Sequence, residues 1–203
     1  MNRFRLQNGF TLLETLMVVA LVGIIGTIAI PQLSNSIRYF RLSGDARSVS
    51  NAVALAKMRA ASKFVKTRLY VSTVSGWHRV ETADTANPPN WTTEGGVTYT
   101  TTNTTFSWGS VLTPPPSTQA TIGHAAPCKN NAGADIAGTA CIVFNSRGVP
   151  IAPDAPGTTY SPTSNSAIYL TDGSDVYAVT VAATGMIKLW QTLPTSTPQW
   201  NRQ

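Results

Sequence analysis

FTLLETLMVVALVGIIGTIAI, running from Phe10 to Ile30, is 21 residues with a single charge, Glu14. As a helix it covers roughly 30 Å, the thickness of a bilayer's hydrocarbon core. The apolar stretch of a secretory signal is shorter, about 7 to 15 residues, and ends in a small-residue cleavage site that does not follow this run. An acid inside an apolar span is disfavoured by about 2.5 to 3.5 kcal/mol on insertion scales, so Glu14 is expected to have a partner. Its place near the N-terminal end leaves a second reading open, in which the carboxyl snorkels or stays protonated and the segment is a plain anchor.

Toward the C-terminus, Pro31 is expected to end or kink the apolar helix because it lacks the N–H for the preceding turn. Beyond it Leu42, Ala46, Val49, Val53, Ala56 and Ala60 recur at spacings of four and three, a stripe of mostly small residues suited to packing on a sheet. No Gly or Pro interrupts Gly44 to Lys66, so one helix is expected from Phe10 to about Lys66. Arg38, Arg41, Arg59, Lys63 and Lys66 fall in one sector of its wheel, about 80° wide. That sector reads either as a phosphate-tracking stripe or, as favoured here, as arginines at the lipid head groups followed by a solvated face.

After Lys66 the composition turns to β-branched and aromatic runs broken by turn residues. Strands are predicted at Arg68 to Thr73, Trp77 to Glu81, Gly96 to Thr102, Cys141 to Asn145, Ala167 to Thr171, Val176 to Val181 and Met186 to Gln191. Asp172-Gly173-Ser174-Asp175 and Thr184-Gly185 are turns, which makes the last three strands an antiparallel meander. Two tracts rich in Pro, Ser, Thr and Gly, Leu112 to Asn131 and Pro150 to Ser166, are loops that are either functional surface or poorly ordered. The fold class is therefore α+β, a long helix packed on an antiparallel sheet.

Gly9-Phe10-Thr11-Leu12-Leu13-Glu14, behind a short leader carrying Arg3 and Arg5, resembles the prepilin leader of type IV pilins and type II secretion pseudopilins. Phe144-Asn145-Ser146-Arg147-Gly148-Val149-Pro150, then Ile168 to Thr171, then Gly185-Met186-Ile187-Lys188-Leu189-Trp190, resemble the head of H-type pseudopilins and FimT/FimU-like minor pilins. The resemblance implies the type IV pilin fold: a leader at 1–9, a transmembrane and filament-core helix at 10–31, its amphipathic continuation at 32–66 and a β-rich head at 67–203. It implies cleavage between Gly9 and Phe10 by a prepilin peptidase, N-methylation of Phe10, and docking of Glu14 against the Phe10 amine of a neighbouring subunit. The implied partners are that peptidase, a major pilin, other minor pilins, the inner-membrane assembly platform and the membrane. The implied location is the inner membrane with the head in the periplasm, then a pilus or pseudopilus. In such a compartment Cys128 and Cys141, the only cysteines, are expected to form a disulfide.

The net charge of +6 invites a nucleic-acid reading until it is located. The leader holds +2; residues 10–66 hold seven Lys or Arg against Glu14 and Asp45, a balance of +5; residues 67–203 hold six against seven acids, a balance of −1. DNA-uptake members of the resembled group carry Gly-Arg-x-Arg in the final hairpin, where this chain has Gly185, Met186, Ile187 and Lys188. If nucleic acid is a partner, Lys188, Arg147 and Arg202 are the candidate contacts; membrane and other pilins are favoured. His78 and His124 stand apart, Asp172 and Asp175 fall short of a Ca²⁺ site, and no nucleophile or phosphate-loop motif appears. No catalytic residue, metal or cofactor is expected, and the chain reads as a substrate of enzymes. The low charge, 12% of residues against 42% hydrophobic, excludes a disordered or charged coiled-coil chain.

Overall fold

The computed structural model describes residues 10–84, 89–153, 162–163 and 165–203. Its first element is α1 (Leu12–Lys63). Thr11 caps it: the Thr11 Oγ1 accepts the Glu14 N–H at 3.2 Å, and its carbonyl accepts the Thr15 N–H at 3.1 Å. Glu14 thus stands in the first turn, where the helix dipole favours an anion. Pro31 does not end the helix; it lies inside α1, at the cost of the N–H that the Thr27 carbonyl would accept. The helix stops without a glycine, Phe64 taking the left-handed conformation at φ 56°.

The chain divides into two compact units, Met1–Tyr39 and Phe40–Gln203. The described part of the first is helical from Leu12, with its apolar side chains exposed, Leu13 at 71% and Ile30 at 70%. It is long and apolar enough to cross a membrane.

The second unit is the head. One sheet has the order β3-β2-β1-β4-β5, from β1 (Thr67–Ser72), β2 (Trp77–Ala83), β3 (Trp91–Tyr99), β4 (Thr139–Phe144) and β5 (Pro150–Ile151). The other is the expected meander, β6 (Ser166–Thr171), β7 (Val176–Val181) and β8 (Ile187–Thr192), extended by β9 (Asn201–Arg202). All pairings are antiparallel. The predicted stripe Leu42, Ala46, Val49, Val53, Ala56 and Ala60 is fully buried against inward residues of both sheets, among them Leu69, Ile142, Phe144, Ile168, Leu170 and Val179. Small helix residues let the strands approach, and each fully buried Val or Leu contributes about 1.5 to 3 kcal/mol over exposure.

Element bounds shift from expectation by up to three residues, β3 ending at Tyr99 and not at Thr102, and three departures are larger. β3 begins five residues earlier than predicted, because Gly95 and Gly96 form a bulge between the pairs His78↔Thr98 and Val80↔Glu94 and break the alternation. β5 and β9 are two-residue strands too short to carry a period. The Leu112 to Asn131 tract is a cover for the sheets' outer faces: Ile122 packs with Ala167, Tyr169, Ala178 and Trp190, and Cys128 packs with Val143 and Ile151. Most of the Pro150 to Ser166 tract lies outside the described residues.

Candidate functional site

Gly9, Arg3 and Arg5 lie outside the described residues. Phe10, at 82% exposure, precedes the Thr11 cap, and Glu14 is exposed on the first turn of α1. An exposed carboxylate one turn into an uncovered apolar helix is well placed to meet a cation from another chain.

Cys128 and Cys141 are disulfide-bonded, their Cα atoms 4.9 Å apart and both side chains buried. The bridge fastens the cover segment to β4 against Tyr70, Trp91 and Ile136.

Of the candidate nucleic-acid contacts, Lys188 and Arg202 come to one face of the second sheet. Lys188 Nζ lies 5.8 Å from the Trp190 ring centroid, and Trp190 pairs with Arg202 across β8 and β9. Arg147 remains on a separate exposed turn, where Asn145 Oδ1 accepts its N–H at 2.9 Å. That turn and the one at Gly185 meet over Lys57, whose Nζ donates to the Gly185 carbonyl at 2.8 Å. A Cβ at Gly185 would stand 3.0 Å from the Gly148 carbonyl oxygen, and its φ is +76°, so glycine is required there twice over.

The expected solvated basic face is partly paired. Arg59 Nε lies 3.2 Å from Glu94 Oε2, and Lys63 bonds the other carboxylate oxygen. The hydrogen bond from Lys63 holds the Glu94 carboxyl below its ordinary value against the opposing effect of burial.

The sequence reading missed a charged network on the outer face of the first sheet. Glu81, buried on β2, accepts Arg68 Nε and Arg79 NH2 through its two oxygens, each at 2.6 Å. Arg68 also donates to the Lys129 carbonyl at 3.0 Å, next to the disulfide. The guanidinium of Arg68 lies 4.0 Å over Trp91, that of Arg79 about 5 Å from both Tyr70 and Trp77, and those two rings stack at 5.4 Å. The ring faces are thus occupied by the arginines and by each other, so the array closes the sheet face much as an apolar layer would. Burial lowers the Arg68 guanidinium from its ordinary value, with Glu81 opposing. The available signal was Arg68 with Tyr70, and Trp77 with Arg79 and Glu81, each set on one face at period two.

His78 is buried and His124 half-buried within the packing. His78 Nε2 lies 3.4 Å from Ser48 Oγ beneath α1, while Nδ1 has no hydrogen-bond partner among the described residues. The nearby Asp45 is committed to Thr101, accepting its N–H at 3.0 Å and its hydroxyl at 2.7 Å. No carboxylate among the described residues orients the imidazole, so Ser48, His78 and Asp45 do not form a nucleophile relay there. His124 Nδ1 accepts the Tyr169 N–H at 3.3 Å among Trp108 and Tyr169. Burial lowers both imidazoles, opposed by Asp45 at His78 and by the Phe106 backbone at His124. Asp172 Oδ1 accepts the N–H groups of Ser174 and Asp175, so it serves the hairpin turn. Among the described residues no three His, Cys, Asp or Glu converge on a metal position.

Residues 4–30 match the family model of the prokaryotic N-terminal methylation motif. Together with a long N-terminal helix on antiparallel sheets, the match indicates a type IV pilin-like or pseudopilin-type protein, a precursor of the kind processed by prepilin peptidase. Neither the curated proteins nor the solved structures contain a match to the chain.

Proposed function

We propose that the chain is a minor pilin, a structural subunit that helps initiate a type IV pilus or sits near its tip. The precursor is held in the inner membrane by the helix at 10–31 with the head in the periplasm. Prepilin peptidase cuts between the 1–9 leader and Phe10, whose amine is then methylated. The helix joins the filament bundle through Glu14 and the Phe10 amine of a neighbour, alongside a major pilin, other minor pilins and the assembly platform. The observation that carries this reading is the exposed Glu14, one turn into a capped helix whose apolar side chains are exposed. A pseudopilin of a type II secretion system uses the same parts and is the second reading, supported by the H-type resemblance of the head.

The expected outcome of Gly9→Ala is accumulation of unprocessed precursor, because the residue before the scissile bond has no room for a side chain. A normally processed band on a gel rejects the cleavage site. A DNA-receptor role has its support in Lys188 and Arg202 flanking Trp190. The slightly acidic head weakens it: binding to DNA is expected to be weak and to fall steeply with salt. Micromolar affinity at physiological salt, lost on Lys188→Ala, reverses that ranking.

A further inference from the structure

The loop 193–200 forms a strap between β8 and β9 on the head. It is tied at both ends: the Pro194 carbonyl accepts the Ser110 hydroxyl, and Trp200 Nε1 donates to the Thr113 carbonyl at 3.0 Å. Beneath it lies a groove of about 520 Å³, lined among others by Asp175, Gln191, Thr192, Thr195, Thr197 and Gln199. That is within the range of small-molecule sites.

Several polar side-chain groups that line this groove have no hydrogen-bond partner among the described residues. The Gln191 amide is spent, donating to Asp175 Oδ1 at 3.0 Å and accepting from Gln203 at 3.0 Å. The Thr192 hydroxyl is buried with no partner among the described residues, a condition that is unfavourable when nothing compensates it. The second oxygen of Asp175, the hydroxyls of Thr195 and Thr197 and the side-chain amide of Gln199 are likewise unspent among the described residues.

We propose that this groove binds a saccharide. The unspent groups mix acceptors with groups that both donate and accept, which suits ligand hydroxyls. Asp175 is the one charged residue of the lining, so an anion is repelled, and a single carboxylate supplies too little charge to hold a bare divalent cation. Leu193, 61% exposed in the same lining, and the threonine methyls offer apolar contact for the C–H face of a pyranose ring.

The chemistry is shared by acetylated amino-sugar glycans and by neutral hexose polymers, and the test separates them. The full chain in a non-glycosidic detergent is titrated with the N-acetylglucosamine tetramer and, separately, with the α-1,4-linked glucose tetramer, following tryptophan fluorescence and saturation transfer to the sugar. At least one is expected to bind saturably with a Kd of about 1 mM or tighter. Asp175→Asn and Thr192→Val should each weaken it by about tenfold. Thr192→Val removes an unpaired buried hydroxyl without changing side-chain volume much, so its thermal midpoint should hold or rise and lost affinity is not lost folding. The proposal is overturned by no saturable response to either sugar at about 20 mM, by wild-type affinity in both variants, or by Ca²⁺ alone giving an Asp175-dependent response.

Discussion

Glu81 is a charged residue whose removal the head is expected to tolerate poorly. It is buried and accepts from two arginines, one of them buried, so truncation leaves two guanidiniums beside aromatic rings without their anion. Breaking such a buried arrangement costs about 3 to 5 kcal/mol. Glu81→Ala is therefore expected to lower the denaturant midpoint steeply with the m-value unchanged; a loss under about 1 kcal/mol would mean that the aromatic faces alone hold the arginines. The imidazoles of buried His78 and half-buried His124 are expected to give the head a pH dependence whose sign follows from their lowered pKa values. Both have folded pKa values below 6.5, so as pH falls the unfolded chain binds the protons first. Stability is retained above about pH 6.5 and falls below it, at about 1.4 kcal/mol per histidine for each pH unit through which only the unfolded state is protonated. Glu94 acts in a lower window, its stabilisation lost as pH falls below 4.5. Denaturation midpoints between pH 8 and 5 should decline in the wild type and flatten in a His78→Gln, His124→Gln double variant; parallel curves would place the cause elsewhere.

At the scale of elements, the reading succeeded where one period governed a whole segment. The α1 stripe from Leu42 to Ala60 and the three meander strands were legible because one face meets a core and the turn residues Asp172, Gly173 and Gly185 punctuate the pattern. It failed where a second constraint interrupted the period. The bulge at Gly95 and Gly96 hid the first half of β3, and division of the strands between two sheets is a long-range choice that alternation does not encode. The cover tract looked like open loop because its anchors, Ile122, Cys128 and the Trp200-bonded Thr113, are separated by Pro, Ser and Gly. Its best fastening is the disulfide, legible from the cysteine count once the compartment was inferred. Replacing both Cys128 and Cys141 by alanine is expected to cost about 3 kcal/mol for this short loop. Proteolysis should then cut first in the cover segment, since the Arg68 bond to the Lys129 carbonyl depends on that segment staying in place. Unchanged cleavage would show that Ile122 and Ile136 suffice to hold it.

For the whole molecule, the two units ask for different surroundings. The head is finished by itself, with a core closed on both sheets, whereas the helix before Tyr39 exposes nearly every apolar side chain it has. Lipid can cover those side chains, and so can the helices of other subunits, and Glu14 distinguishes the two. In lipid, near the end of the span, the carboxyl reaches the interface or stays protonated, and its replacement by alanine removes a cost. In the proposed bundle of helices the docked carboxylate would face the Phe10 amine of a neighbour, and alanine would leave that amine buried without its anion, a loss of about 3 to 5 kcal/mol per contact. Glu14→Ala is thus expected to keep membrane-fraction levels at or above wild type while depleting the protein from sheared filaments. Glu14→Asp, which keeps the charge on a shorter side chain, should restore part of the loss. Equal amounts of Glu14→Ala and wild type in the sheared fraction would mean that the helix is an anchor and that Glu14 takes no part in docking.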